Sequence, residues 1–265
     1  MAADLYYTTN GPAGAPALLL LHPLGSSHEF WDECAAIWSQ HYFVVTPDLR
    51  GAGRSPIPDR PQAVDVHVRD LKALRETLGL RRVVAIGCAI GSVIATAYAA
   101  ADARAVDALV LSNTTDRLDE ESRQRHESRL KLVAENGIDA LLPAVIDMAF
   151  DGLPKDERYQ RYLERFRRND PRGYGALALG MVGTDNRQIL AALTCPTLVV
   201  AGAHDILLPP RLARGVHAML KNSEFAEIDA AAHFAPYQTP EAFAALVDDF
   251  LKRAGIAPTA QPANP

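Results

Sequence analysis

The chain has 265 residues, 48% hydrophobic and 22% charged, enough for one large core or a core plus a small insertion. Its formal charge of −5 argues against nucleic acid as a partner, which requires a basic footprint, and no apolar run approaches the ~18 residues that span a membrane. Cys34, Cys88 and Cys195 are scattered and odd in number, which excludes a disulfide framework or a metal-ligand cluster.

In chain order, short apolar runs alternate with helical patterns. Residues 5–9 form the first candidate strand. Residues 17–21 form the second, a buried run that stops at His22-Pro23. Ser26 and Glu29 have the spacing of a capping box ahead of Phe30, Trp31, Cys34, Ile37 and Trp38. After a strand at 43–46, Val64, Val68, Leu71, Leu74 and Leu78 repeat at helical spacing until Gly79. A strand at 83–86 leads into Gly87-Cys88-Ala89-Ile90-Gly91, and another strand spans 108–112.

From Asp116 to Asp185 the strand signal disappears. Leu130, Leu132 and Val133, then Leu141, Leu142, Val145 and Ile146, fall at helical spacings among many charged residues. Strands at 197–201 and 224–228 follow. Thr239-Pro240 opens the last helix, with Phe243, Leu246, Val247 and Phe250 on one face and Gly255 after it. Continuous apolar strands separated by helices predict an α/β fold with a mainly parallel sheet covered on both faces. Residues 1–113 and 186–255 are expected to form the core. Residues 114–185 are expected to form a helical cap over the carboxyl edge of the sheet, where open α/β folds bind ligands. Residues 256–265 read as a disordered tail.

The segment 87–91 has the small-x-x-x-small spacing of a nucleophile elbow, G-x-S-x-G, between a strand and a helix. Its centre is Ala89, which has no proton to give and no lone pair to attack with. The chain start, Met1-Ala2-Ala3-Asp4, lacks the basic and apolar regions of a signal peptide. With the unpaired cysteines, this predicts a reducing, cytoplasmic setting. The sequence carries no signal of oligomeric state.

With these motifs assembled, the chain resembles the α/β-hydrolase family, and within it 3-oxoadipate enol-lactonases and related small capped hydrolases. The resemblance rests on Leu20-Leu21-His22-Pro23-Leu24-Gly25-Ser26-Ser27 as the oxyanion loop and Trp31 shortly after it. It rests also on Pro47-Asp48-Leu49-Arg50-Gly51-Ala52-Gly53-Arg54-Ser55, on the strand 195–202 delivering Asp205, and on Ala232-His233-Phe234. It covers nearly the whole chain. The departures are Ala89 for serine, Ser92 where many relatives have a second glycine, and a short N-terminus. The resemblance implies Asp205 as the acid, His233 as general base and acid, and the N–H groups of Leu24 and Ile90 as the oxyanion hole. Trp31 and Phe234 are the candidate pocket aromatics, His22, Asp48 and Arg50 are framework residues, and no metal or other cofactor is implied. His204 and Asp116 are lesser alternatives to these assignments, and Cys88 and Ser92 are poorly placed to replace the nucleophile. Arg158, Arg161, Arg165, Arg167 and Arg168 read as a solvated helix face; one of them entering the pocket would imply a carboxylate on the substrate.

The expected partner is a small carbonyl substrate of enol-lactone, ester or activated amide or carbamate type. Three readings of Ala89 stand. His233 and Asp205 activate water directly; or the chain is an ordinary serine hydrolase carrying an engineered Ser-to-Ala change; or the fold is a non-catalytic binder or sensor of a small ligand.

Overall fold

Seven strands form one sheet in the spatial order β1-β3-β2-β4-β5-β6-β7. The computed structural model describes residues 4–256; residues 1–3 and 257–265, which include most of the expected tail, lie outside the described residues. The strands are β1 (Tyr7–Asn10), β2 (Ala17–Leu21), β3 (Phe43–Pro47), β4 (Val83–Cys88), β5 (Val106–Ser112), β6 (Thr197–Gly202) and β7 (Ser223–Ile228). Only β1 runs antiparallel, along β3 at the edge. It starts two residues later than expected, and its half-exposed side chains suit an edge, whereas every β2 residue is buried.

The apolar runs are continuous because both faces are covered. Leu18 and Leu20 of β2 enter a core cluster with Trp31, Trp38 and Phe243. Leu19 and Leu21 enter the other, with Leu71, Val93 and Leu109. Helices α1 (Asp32–Trp38), α2 (Val64–Thr77) and α3 (Ile90–Ala101) connect the first strands, α9 (Pro210–Met219) connects β6 to β7, and α10 (Ala235–Gln238) and α11 (Pro240–Arg253) follow β7. The predicted capping box is absent. Ser27, not Ser26, precedes a 3-10 turn, His28–Trp31, and makes no side-chain cap. The Glu29 carboxylate instead turns to Arg165 and Arg168.

Between β5 and β6 lie five helices, α4 (Glu120–Asn136), α5 (Ala144–Ala149), α6 (Glu157–Arg167), α7 (Pro171–Gly180) and α8 (Arg187–Ala192). The chain enters and leaves the helical cap, α4 to α7, side by side, at a bridge between Arg117 and Asp185. Asp119, Asp156 and Asp170 cap α4, α6 and α7 through backbone N–H groups, each worth about 1 kcal/mol. On α6, Tyr159, Tyr162, Leu163 and Phe166 form the buried stripe. Its arginines do more than face solvent. Arg158 and Arg161 pair with Glu33, Arg165 with Asp32, and Arg168 with Glu29, all on or just before α1. Arg167 pairs with Asp139 inside the cap.

β2 connects to β3 on one side and β4 to β5 on the other, so between the parallel strands β2 and β4 the connections switch from one side of the sheet to the other. A crevice opens at such a point. Leu21 pairs with Gly87, which sets the loop after β2 beside the turn after β4.

Candidate active site

Ala89 stands on that turn with φ 50° and ψ −116°, a strained conformation for a residue with a Cβ. Close packing imposes it. A Cβ on Gly87 would lie 2.3 Å from the Gly91 carbonyl oxygen, and one on Gly91 would lie 2.3 Å from the Leu21 carbonyl oxygen. Ser92 Oγ lies 2.6 Å from the Ala89 carbonyl oxygen and 2.8 Å from Thr114 Oγ1, tying the turn to the end of β5. The elbow is therefore built in full around a methyl group.

The loop after β2 is oriented by His22. Its Nε2 accepts from the Leu49 N–H at 3.0 Å, which places the proton on Nδ1 to donate to the Pro23 carbonyl at 2.8 Å. Burial lowers the His22 pKa, which keeps the ring neutral. In a planar trans peptide, C=O and N–H point opposite ways. Fixing the Pro23 carbonyl toward His22 therefore turns the Leu24 N–H away from it. Leu24 and Ile90 both line a cavity of about 110 Å³ with Ala89 and His233. Ile90 also opens α3, whose first N–H groups lack partners within the helix.

His233 Nδ1 lies 3.0 Å from both Asp205 carboxylate oxygens. Asp205 is 2% exposed. Its Oδ1 also accepts from the Leu207 and Leu208 N–H groups, each at 2.9 Å, and its Oδ2 from Asn113 Nδ2 at 2.9 Å. Burial pushes the Asp205 pKa up, but the charge and hydrogen bond of His233, the Leu208 N–H and the Asn113 amide outweigh it and hold the carboxyl below its usual range.

The pair is supported by two side chains that carried no sequence signal. Asn113, at φ 50° after β5, donates through Nδ2 to the Ala232 carbonyl at 2.8 Å as well as to Asp205. Gln238 accepts through Oε1 from the N–H groups of Ala232 and Phe234. Asparagine tolerates positive φ better than most residues, and that is the one hint residue 113 offered.

The two expected pocket aromatics need correction. Trp31 is fully buried between Phe30 and Phe243, with ring centroids 5.1 and 6.3 Å away, and does not line the cavity. Phe234 also turns away. It stacks on Tyr162 at 4.5 Å within an aromatic cluster, while its neighbour His233 faces the cavity. The aromatics that do line it are Phe166 and Tyr174 of the cap. Cys88 is buried, its Sγ lies 3.8 Å from the His233 carbonyl, and burial pushes its thiol pKa well up. His204 is exposed beside Gly152, and Asp116 pairs with Arg117.

The cap contributes Arg125, His126 and Arg129 of α4 to the cavity, none of them foreseen; the α6 arginines stay outside it. Ser122 and Val133 are the buried residues of α4. Positions 125 and 129 fall at helical spacing between them, which is the pattern that would have found both arginines. On the same helix, Arg123 pairs with Glu120 and Glu127. Among the described residues Arg125 and Arg129 have no carboxylate partner, and the Arg125 guanidinium donates to Ser122 Oγ at 3.3 Å. Burial, with the charges of Arg129 and Arg125, lowers the His126 pKa to about 4, and its Nδ1 is buried without a partner.

The strand order, the elbow, the loop after β2 and the cap define a hydrolase fold. The chain matches the family described as alpha/beta hydrolase fold over residues 16–240 and belongs to it; it is an enzyme of the hydrolase type. It is 26% identical to 3-oxoadipate enol-lactonase 2 of Acinetobacter baylyi over 94% of this chain and 93% of that one. It superposes on the enol-lactonase of Burkholderia xenovorans LB400 with a TM-score of 0.88, 26% identity and coverage of 94% and 96%. A thermophilic esterase of Thermogutta terrifontis, solved with malate bound, gives 0.87, 27%, 94% and 93%.

Proposed function

We propose that the chain hydrolyses a small lactone or ester by direct attack of water, with His233 and Asp205 moving the proton. The observation that carries this reading is the buried His233–Asp205 pair, with Nδ1 at 3.0 Å from the carboxylate, opening on a cavity whose elbow tip is a methyl group. With Nδ1–H held by Asp205, Nε2 is free to accept a proton. Water gives that proton to Nε2 as its oxygen bonds to the carbonyl carbon. The carbonyl π electrons move to oxygen, and the oxyanion meets the Leu24 and Ile90 N–H groups. On collapse the bond to the leaving oxygen breaks, and Nε2 returns the proton to it. Asp205 stabilises the imidazolium without taking its proton.

In triad enzymes, an oxyanion hole and binding retain about 10³–10⁴ over water when the triad is lost. A general base adds about 10²–10⁴. Enol-lactones and aryl esters, with stabilised leaving groups, demand least of such a site, and two of the relatives are named as enol-lactonases.

The cap supports a second part of the reading. Arg125 and Arg129 suit a carboxylate on the substrate, because guanidinium groups match its geometry. The 3-oxoadipate of one relative's name and the malate bound to another accord with this. Replacing both, Arg125→Gln with Arg129→Gln, is expected to lower kcat/KM by about 10- to 100-fold for an ester bearing a free carboxylate. A neutral ester of the same size should be nearly unaffected. Equal losses on both esters would place the arginines in cap packing alone.

The nucleophile question is settled with a fluorophosphonate probe. The unmodified chain is expected to turn over an activated lactone or aryl ester and to stay unlabelled, whereas Ala89→Ser becomes labelled at residue 89. Turnover appearing only in Ala89→Ser would instead identify a serine hydrolase that has lost its nucleophile. Tight ligand binding without turnover in either would identify a binder.

A further inference from the structure

The loop that carries His233 has no strand or helix to satisfy its backbone. Three consecutive N–H groups, those of Ala232, His233 and Phe234, belong to buried residues and must find acceptors. Gln238 Oε1 takes the first at 2.8 Å and the third at 3.2 Å. The His233 N–H goes to the Ala149 carbonyl at 3.1 Å. Ala149 is the last residue of α5, and terminal helix carbonyls lack partners within their own helix. Gln238 Nε2 donates to the same oxygen at 2.9 Å. One cap carbonyl therefore receives both the backbone of His233 and the side chain that holds its two neighbours.

A second tie runs beside it. Arg158 of α6 donates through Nη1 to the Gln238 carbonyl at 2.7 Å, and the Tyr237 hydroxyl donates to the Arg158 carbonyl at 3.0 Å. Arg158 is itself paired with Glu33 of α1. Gln238 does not line the cavity, so whatever it does for the reaction it does through His233.

We propose that Gln238 is a positioning residue that couples the His233 loop to the cap through the Ala149 carbonyl, so that the seating of the cap sets where the His233 imidazole stands over the elbow. The proposal rests on the reading of His233 as the proton-transfer group. A cap that shifts by a fraction of an ångström carries Ala149 with it and draws the His233 backbone along. Binding in the cap-walled cavity and alignment of the base are then one event. A misplacement of about 1 Å at a catalytic group costs up to about 10²-fold in rate.

Gln238→Glu separates the two halves of the device. A carboxylate keeps the acceptor for the Ala232 and Phe234 N–H groups and, where the donor stood, sets an oxygen against the Ala149 carbonyl, breaking that tie. Tyr237→Phe loosens the second tie without touching Gln238 and keeps the ring in its aromatic cluster. The readouts are kcat and KM on an activated aryl ester, thermal unfolding, and the His233 ring signals by nitrogen-edited NMR. Gln238→Glu is expected to lower kcat by about 10- to 100-fold with KM little changed, and to move the His233 signals. Tyr237→Phe is expected to do the same to a smaller degree. Unchanged kcat and His233 signals in folded Gln238→Glu overturn the proposal, even where its Tm falls, because a purely structural role predicts that result. Should Gln238→Glu not fold, unchanged kcat and His233 signals in Tyr237→Phe overturn it. If the unmodified chain hydrolyses no ester offered, the His233 signals alone decide: movement supports the coupling while the hydrolytic reading fails separately.

Discussion

His233→Ala is expected to lower the turnover of a small activated lactone or ester by about 10²–10⁴, with a folded protein remaining. The imidazole is the titratable side chain that joins Asp205 to the cavity at the elbow. Without it, water must attack unaided, its proton passing to solvent, while the Leu24 and Ile90 N–H groups still meet the oxyanion. The residual rate measures that contribution. The variant also leaves a buried carboxylate without the imidazole that donates to it. Of the influences that hold the Asp205 pKa down against burial, the charge of His233 is the largest. In His233→Ala the carboxyl should titrate higher than in the parent. Steady-state kinetics with an aryl ester, and NMR of the Asp205 carboxyl carbon across acid pH, check the two statements. Turnover within a few-fold of the parent would remove His233 from the mechanism.

Asp205→Asn is expected to be comparably damaging to turnover, approaching the roughly 10⁴-fold loss seen when the acid of a serine-protease triad becomes an amide. Both carboxylate oxygens accept hydrogen bonds from fixed donors: Leu207 and Leu208 N–H on one, Asn113 Nδ2 on the other, and His233 between them. An amide NH₂ placed on either side faces a donor, and in one orientation it forces the imidazole into the wrong tautomer. The confrontation is also expected to cost about 1–3 kcal/mol of stability at neutral pH. The pH dependence has a definite sign. A carboxyl whose folded pKa lies below its unfolded value stabilises the fold above the unfolded pKa and loses that contribution as pH falls through the folded one. The parent should therefore exceed Asp205→Asn in stability at neutral pH, and the gap should narrow as pH falls below the ordinary aspartate value of 3.8. Chemical denaturation at several pH values measures the gap; a gap that widens in acid would contradict the assignment.

The parallel sheet was legible because each buried strand is a continuous apolar run, and the elbow because its glycines are dictated by backbone approaches too close for a Cβ. Asp205 and His233 stand out through the family motifs around them, and the structure brings the two side chains together. What local sequence does not encode is direction and distant pairing. Trp31 and Phe234 sit beside functional segments, yet their rings turn into the core, a choice made by Phe243 and Tyr162, more than two hundred and about seventy residues away respectively. The α6 arginines found acids on α1 more than a hundred residues earlier in the chain. Arg125 and Arg129 were hidden by a helix with only two buried residues to mark its inner face.

The strained turn at Ala89 bears on how such a site changes over generations. The conformation that presents a nucleophile is held by Gly87, Gly91 and Ser92, and none of that scaffolding depends on a hydroxyl at residue 89. Alanine and serine codons are a single nucleotide apart. A lineage with this chain stands one mutational step from covalent chemistry, with no backbone rearrangement to acquire first, and an experimenter selecting for esterase activity should find that step early.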